Sequence, residues 1–268
     1  MLVRTTHLTE PLTITAAPLT RDAFAPFGDV IANPRPESRP SNTAPDAIAR
    51  GELPCGAVSA NQGTAIQYRA IASMGNLYDS APSGKAGSPR MTMFVCGARA
   101  LLVSSRDGDG DGGEKEKEVV ADGVQIKVLE RHPFTSQTFI PLTADGTKRY
   151  LVVVAPMLAP AGEDEDLPAP RDVSGLPGRG LPDVSRLVAF VATGEQAVTY
   201  AAGTWHAPMI ALGPPDSTVD FVVVQFANDV PVEDCQEVAL EDGGKGDGPA
   251  SRIWVRVPEG DGRALAKL

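Results

Sequence analysis

The stretch Val124-Gln-Ile-Lys-Val-Leu-Glu-Arg-His-Pro-Phe-Thr-Ser-Gln137 alternates apolar and polar side chains as a β-strand does. Every second residue at its start falls on one apolar face: Val124, Ile126 and Val128. Glu130 and His132 continue this face, where a carboxylate and an imidazole are costly to bury unless paired, hydrogen-bonded or bound to metal. We therefore predict that this pair binds an ion or a substrate. The opposite face is predicted to be solvated or to contact another subunit, and it carries Gln125, Lys127 and Arg131.

A second motif, Gly194-Glu-Gln-Ala-Val-Thr-Tyr-Ala-Ala-Gly-Thr-Trp-His-Ala-Pro208, contains two strand-like pieces around a glycine turn. His206 follows that turn. The chain has only three histidines, and two of them fall in these two motifs, which indicates that His132 and His206 share one site. His7 lies in a segment that is predicted to be irregular, and it is predicted to have no role at the site.

The composition predicts a mainly β protein with long loop insertions and a few short helices. Its 268 residues with 42% hydrophobic content suit one sizeable domain or two small ones. Glycine and proline are abundant, and the apolar runs are short and rich in valine and isoleucine. Many short strands between turns point to a closed β-barrel or a sandwich. We interpret residues 1–268 as a single domain with low-complexity insertions near 107–118, 158–183 and 241–249.

The net charge and the cysteine content limit which binding partners and which cellular compartment are expected. A net charge of −10 argues against nucleic acid and anionic membranes as partners, while a small anionic substrate needs only local positive charge. There is no apolar run of membrane-spanning length and no signal-peptide pattern. Three widely spaced cysteines indicate free thiols and a cytoplasmic protein. The sequence has no dinucleotide fingerprint or phosphate loop, so no organic cofactor is expected.

The two motifs together offer ligands for a metal ion. They would supply two imidazoles, one carboxylate and one amide oxygen from neighbouring strands: Glu130, His132, Gln137 and His206. Such nitrogen and oxygen ligands suit a borderline divalent transition metal with open positions for water or substrate. The alternative is a structural role, with a neutral, hydrogen-bonded core histidine and Glu130 paired with Arg131 or Lys127.

Six stretches resemble the ureidoglycolate lyase family of purine and allantoin breakdown, once called ureidoglycolate hydrolase. They occur in the family's order between roughly residues 14 and 226: Pro18–Ile31, Asn61–Ile66, Ile126–Pro133, Ser136–Pro141, Tyr150–Ala155 and Ala197–Met209. The blocks Leu129-Glu-Arg-His-Pro133 and Gly203-Thr-Trp-His-Ala-Pro208 are the most specific. The block Asn61-Gln-Gly-Thr-Ala65 is similar to the fungal branch.

The resemblance implies a cupin-like β-barrel, usually a homodimer, that cleaves (S)-ureidoglycolate to glyoxylate and urea. It also implies a divalent metal such as nickel, with manganese or zinc as alternatives, and leaves open whether the metal is required. Two other functions remain under consideration. One is an amidohydrolase that releases ammonia from the same substrate, and the other is a non-enzymatic cupin that binds a small ligand.

The chemistry of this cleavage assigns roles to particular residues. His132, His206 and Glu130 are the predicted catalytic residues, either as metal ligands or with one histidine as the base. The predicted substrate-binding residues surround them: Gln137, Arg69, Arg99, Lys127, Trp205 and Tyr200. Because Lys127 is predicted on the opposite face of the strand, its charge would act in trans across a dimer. The family usually has arginine where this chain has Val95, so Arg99 or another cation is expected to replace it.

Overall fold

The computed structural model describes residues 1–99, 102–106, 118–170, 178–243 and 252–258. Most of the predicted insertion 107–118 and of the predicted loop 241–249 lies outside these ranges. The described residues form a mainly β fold, as predicted, with short helices at Arg21–Phe24 (α1), Pro45–Ala49 (α2) and Pro231–Asp234 (α3). No helix in these ranges is long and apolar enough to cross a membrane.

Nineteen strands follow one another along the described residues. They are β1 (Leu2–Leu8), β2 (Leu12–Thr15), β3 (Ala17–Pro18), β4 (Gly28–Ile31), β5 (Val58–Ala60), β6 (Ala65–Gln67), β7 (Ser88–Gly97), β8 (Leu102–Arg106), β9 (Glu118–Ile126), β10 (Val128–Arg131), β11 (Gln137–Pro141), β12 (Arg149–Ala155), β13 (Val188–Thr193), β14 (Ala197–Tyr200), β15 (Trp205–His206), β16 (Ile210–Leu212), β17 (Thr218–Ala227), β18 (Gln236–Asp242) and β19 (Ile253–Arg256). Short 3-10 helices lie at Asn61–Gly63, Tyr78–Ser80, Gly162–Asp166 and Val184–Arg186.

The strands form three main sheets, and the largest of them is the middle layer. This middle sheet has the order β1-β18-β10-β15-β12-β13-β3, with β16 also paired with β12. A five-stranded sheet, β4-β14-β11-β17-β7, packs on one face, and a four-stranded sheet, β2-β19-β9-β8, packs on the other. The pairings among the described residues give open, layered sheets and not a closed barrel, a mainly β arrangement that is consistent with a cupin-like fold.

Strand β12 shows why the middle sheet is buried on both faces. Leu151, Val153 and Ala155 belong to the core shared with the four-stranded sheet. Their neighbours Val152 and Val154 belong to the core shared with the five-stranded sheet. An apolar run without polar interruption is typical of a strand covered on both sides. Each fully buried aliphatic side chain of this kind stabilises the fold by roughly 1.5–3 kcal/mol.

The predicted strand through Val124 and Gln137 is interrupted at Lys127, which changes the face on which each later residue lies. Strand β9 ends at Ile126 in the four-stranded sheet, and β10 starts at Val128 in the middle sheet. Between them the carbonyl of Lys127 accepts a hydrogen bond from the amide of Leu240. The prediction that Glu130 continues the apolar row of Ile126 is therefore wrong. Leu129 takes that place in the core.

The N-terminal segment is also more regular than predicted. His7 belongs to β1, which runs parallel to β18 and pairs with it from Leu2 to Leu8. The prediction of an irregular segment is therefore wrong, because β18 offers a free edge that this segment fills. His7 lies at the outer edge of the middle sheet, opposite Glu241.

Candidate active site

Glu130, His132 and His206 converge between the middle sheet and the five-stranded sheet. Glu130 of β10 lies directly opposite His206 of β15, and His132 follows the end of β10. One potential ligand atom from each of the three side chains lies within 4.8 Å of the others. His206 Nε2 and Glu130 Oε1 are 3.5 Å apart, which is too long for a well-formed hydrogen bond. The predicted convergence of the two histidine motifs is thus present in the structure.

Backbone carbonyls orient both imidazole rings in the same way. His132 Nδ1 donates to the carbonyl of Asp234 at 2.7 Å, and His206 Nδ1 donates to the carbonyl of Thr204 at 2.9 Å. Because a carbonyl only accepts, each ring carries its proton on Nδ1 and keeps a lone pair on Nε2. Both Nε2 atoms are buried and have no hydrogen-bond partner in the described part of the chain. Buried polar atoms without a partner are costly, so this pair indicates a ligand position.

The ionisation of the cluster suits ligand binding near neutral pH. Burial, helped by the charge of His206, lowers the pKa of His132 to about 4, so its imidazole is neutral at pH 7. Burial opposes the charge of Glu130, but the contact with His206 outweighs it and lowers the pKa of the carboxyl. Two imidazoles, each held by a backbone carbonyl through Nδ1, and one carboxylate are a donor set that borderline divalent metals prefer. The residues therefore fit the metal that the sequence suggested.

Tyr200 and Gln137 form the facing wall on the five-stranded sheet. The ring of Tyr200 stacks on His206 with centroids 3.9 Å apart and planes 11° apart. Gln137 lies opposite Tyr200 in the neighbouring strand, and its Nε2 donates to Gln225 Oε1 at 2.7 Å. Its own Oε1 is buried without a partner among the described residues. Gln137 and Tyr200 thus lie on the wall of the cleft that faces the cluster.

Trp205 lies on the other face of the middle sheet, although it is the neighbour of His206. It is fully buried in the core shared with the four-stranded sheet. Its Nε1 donates to the carbonyl of Gly180 at 3.0 Å, and the guanidinium of Arg131 lies 4.7 Å from the ring centroid. Because adjacent strand residues point to opposite faces, Trp205 and His206 cannot line the same cavity.

The prediction that Arg131 faces solvent or another subunit is wrong. Its side chain is fully buried, because the interruption at Lys127 turns it toward the core beside Trp205. It donates to Gln236 Oε1 at 2.8 Å and to the carbonyl of Gly180 at 3.0 Å. Burial lowers its pKa to about 10. Arg131 is therefore a structural cation, and the alternative in which it pairs with Glu130 is not what the structure contains.

The other predicted cations do not meet the cluster. Lys127, Arg69 and Arg99 are all exposed. Arg69 belongs to a segment bonded to Cys55 through its backbone amide. The amide of Arg99 bonds to the carbonyl of Ala211, at the end of the sheet away from His206.

Val95 lies outside the cleft, so the family arginine at this position would also lie outside it. Its neighbour Phe94 points inward and contacts the ring of Phe139, so Val95 points outward, and it is 64% exposed. Val95 pairs with Asp220, whose Oδ1 is buried without a partner among the described residues. An arginine here would therefore be placed to pair with Asp220 across the strands.

Glu237 and Cys235 lie beside the cluster and were not predicted from the sequence. Glu237 is opposite Glu130 in β18, and one atom each of Glu130, Cys235 and Glu237 lies within 4.8 Å of the others. Burial and the charge of Glu130 raise the pKa of Cys235 to about 12, so it is a neutral thiol. Alternation after Gln236 indicates a strand, but no local pattern shows that β18 neighbours β10.

Several curated proteins that are similar to this chain carry the same name. Curated proteins named ureidoglycolate lyase match this chain in Schizosaccharomyces pombe, with 32% identity over 85% of this chain and 92% of the relative. The match in Saccharomyces cerevisiae is 32% identical over 87% of this chain and 96% of the relative. The match in Burkholderia cepacia is 33% identical over 83% of this chain and 84% of the relative. Fungal members are thus among the relatives, as the block at Asn61 predicted.

The match to the family itself covers most of the chain. The sequence profile described as Ureidoglycolate lyase matches residues 11–245, which include every strand that contributes to the cluster. The matched range is wider than residues 14 to 226, which contain the six stretches that resemble the family. On this evidence the chain belongs to the ureidoglycolate lyase family.

Proposed function

We propose that this chain is an enzyme that cleaves (S)-ureidoglycolate to glyoxylate and urea in purine and allantoin breakdown. One observation carries the proposal: the buried, unpartnered Nε2 atoms of His132 and His206 face the carboxylate of Glu130 in one cleft. Relatives that cover most of the chain and bear the name ureidoglycolate lyase support it.

The reaction needs proton transfers and no nucleophile from the protein. The substrate carries a hydroxyl, a carboxylate and a urea nitrogen on one carbon. Removing the hydroxyl proton lets the oxygen electrons form a carbonyl while the carbon–nitrogen bond breaks. The departing urea nitrogen takes a proton, so that the products are glyoxylate and urea. General acid–base groups of suitable pKa are sufficient for both transfers.

The residues of the cluster can perform both transfers. His206 Nε2 has a free lone pair and accepts the hydroxyl proton, and Glu130 at 3.5 Å stabilises the imidazolium that results. The imidazolium then returns the proton to the urea nitrogen, which restores the neutral ring. His132, neutral because its pKa is about 4, accepts a hydrogen bond from the substrate. Tyr200 stacks on His206 and keeps water from that face of the base.

A divalent metal ion fits the same residues. We propose that His132, His206 and Glu130 hold a nickel, manganese or zinc ion, with Gln137 as a further oxygen donor. The two Nε2 atoms and Gln137 Oε1 are among the buried atoms left without hydrogen-bond partners in the described part of the chain. When bound, such an ion would occupy the lone pair of His206 Nε2, so the metal is an alternative to His206 as the base: it would itself polarise the substrate hydroxyl and lower its pKa.

One incubation tests the proposal and separates it from its rivals. Pure (S)-ureidoglycolate is mixed with the protein, with and without a chelator, and glyoxylate, urea and ammonia are measured. We expect glyoxylate and urea in equal amounts. Ammonia in place of urea would identify an amidohydrolase. Binding of the substrate without any product would identify a ligand-binding protein and refute the proposal. Loss of activity with chelator, restored by added metal, would support the metal site.

We also propose a cytoplasmic homodimer that associates through the outer face of β7. Strand β7 is the edge of the five-stranded sheet, and its outward side chains Met91, Met93 and Val95 are 62–74% exposed. Apolar edge strands are prone to pair with another chain. The three cysteines are free, which suits a reducing compartment. Analytical ultracentrifugation tests the dimer, and Met93→Lys should shift it toward monomer.

A further inference from the structure

Two of the three predicted catalytic residues, His206 and Glu130, belong to one row of side chains across the middle sheet. His206, Glu130 and Glu237 are cross-strand neighbours in β15, β10 and β18. They therefore point to the same face of the sheet. Tyr200 stacks on His206, so this face looks onto the five-stranded sheet. The row runs outward from the enclosed end at His206 to Glu237, which is 39% exposed.

A second row lies on the five-stranded sheet and starts under the first. Tyr200 is opposite Gln137 in β11, the side chain of Gln137 bonds to Gln225 of β17, and Gln225 is opposite Arg90 of β7. Arg90 is thus on the inner face of the sheet, two strands beyond Gln137. Two strand spacings amount to about 10 Å at the backbone. The polar row therefore leads from the stacked histidine to an arginine at the open side of the cleft.

The charge of Arg90 is only partly neutralised where it lies. Its Nη2 donates to Asp229 Oδ2 at 2.8 Å. Lys85 Nζ lies 4.0 Å from the same oxygen, so two cations share one carboxylate. Arg90 is 45% exposed, and the described residues give its remaining guanidinium donors no partner. In a chain of net charge −10, Arg90 therefore keeps guanidinium donors for an anion.

We propose that Arg90, assisted by Gln225, binds the carboxylate of the substrate. The proposal rests on the proposed function and names the cation that it needs. An anionic substrate approaches Glu130, which repels it, and Glu237, whose charge is partly offset by the N-terminal ammonium of Met1 at 3.5 Å. A guanidinium at the outer end of the cleft offsets the remaining repulsion. The planar fork of arginine binds both oxygens of a carboxylate at once. The hydroxyl carbon then lies farther in, between Gln137 and the histidines.

A comparison of two substrates tests the role of Arg90. N-(Hydroxymethyl)urea has the same hydroxyl and urea groups as ureidoglycolate but no carboxylate. We expect Arg90→Gln to lower kcat/KM for ureidoglycolate by about 10- to 100-fold, mainly through KM, as loss of a charged hydrogen bond does. Its kcat/KM for N-(hydroxymethyl)urea should stay within about twofold. Arg50→Gln is the matched control, because Arg50, directly after α2, is also exposed and also pairs with one carboxylate, that of Glu52, and it should change neither.

Two kinetic outcomes would overturn the role of Arg90. Equal losses on both substrates would show that Arg90 supports the fold and not the carboxylate, and an unchanged variant would show that it has no role. Calorimetry with glyoxylate separates this inference from the proposed function, because it needs no turnover. If the wild-type protein releases no glyoxylate from ureidoglycolate but binds glyoxylate about tenfold more tightly than Arg90→Gln, the carboxylate site stands and the lyase activity does not. Absent or equal glyoxylate binding refutes the site.

Discussion

Replacing Tyr78 by phenylalanine should weaken the fold at the point where the loop before β7 supports His132. The hydroxyl of Tyr78 donates to Asp234 Oδ1 at 2.6 Å, and the same oxygen accepts from the amide of Asn228 at 2.8 Å. The backbone carbonyl of Asp234 in turn accepts from His132 Nδ1. Tyr78→Phe removes one of the two hydrogen bonds to this oxygen and leaves the aromatic ring against Phe134.

The cost can be worked out from the bond to Asp234, which is the shorter of the two contacts of this hydroxyl; the other, to the carbonyl of Phe226, is 3.3 Å long. A hydrogen bond to a charged group contributes about 1.5–3 kcal/mol, and the buried ring keeps its apolar contacts. At about 2–4 °C per kcal/mol for a domain of this size, Tm should fall by roughly 3–12 °C. Turnover should fall as well, because the turn that fixes the tautomer of His132 is held less firmly.

Urea denaturation followed by tryptophan fluorescence measures the stability, and glyoxylate release measures the activity. Tyr68→Phe is the matched control, because the hydroxyl of Tyr68 is buried without a partner among the described residues. Its removal should leave stability unchanged or raise it. If the two variants lose the same stability, or if Tyr78→Phe loses less than about 0.5 kcal/mol, the bond to Asp234 does not have the strength assigned to it.

Three further predictions follow from the same geometry. His132→Ala and His206→Ala should each lower turnover by about 100-fold or more while circular dichroism stays native; full activity in a folded variant would remove that histidine from catalysis. Val95→Arg should raise the free energy of unfolding by up to about 1 kcal/mol by pairing with Asp220 Oδ1, and a loss of stability in urea would contradict this pairing. Burial opposes the charge of Glu233, but hydrogen bonds from its neighbours lower its pKa below the unfolded value, so its contribution to stability is present above about pH 5 and lost in acid. Glu233→Gln should therefore lose less stability than the wild type between about pH 5 and 3, and parallel losses in the two proteins would argue against this account.

Local pattern was enough to predict the strands that are buried on both faces or alternate clearly. Tyr150–Ala155 forms all of β12 except its first residue, and Val219–Phe226 lies within β17. The apolar side chains of these strands have to be buried, and the tertiary structure buries them in the extended conformation that the local sequence also prefers. The pairing of His132 with His206 was predictable for a different reason: few histidines exist, and both lie where a strand ends or begins.

Contacts between strands that are distant in the sequence could not be predicted in this way. Nothing in the local pattern shows that the chain changes sheets at Lys127, yet this change reverses the faces of Leu129 and Arg131. Register between β10 and β18 brings Glu237 beside Glu130, and register between β17 and β7 brings Arg90 into line with Gln225. Such registers are set by the packing of whole sheets, and a shift of one residue would move every side chain of the strand to the opposite face.

The division of neighbouring residues between the two faces of the middle sheet bears on how this family can diverge. Trp205 and Arg131 form hydrogen bonds to the segment around Gly180 on the rear face of the middle sheet, which is the face covered by the four-stranded sheet. His206 lies in the candidate active site on the opposite, front face. Segments attached at the rear can lengthen, shorten or change sequence while the chemistry in front is undisturbed. We therefore expect relatives to differ most in this rear layer, and grafts exchanged there between family members to keep substrate preference intact.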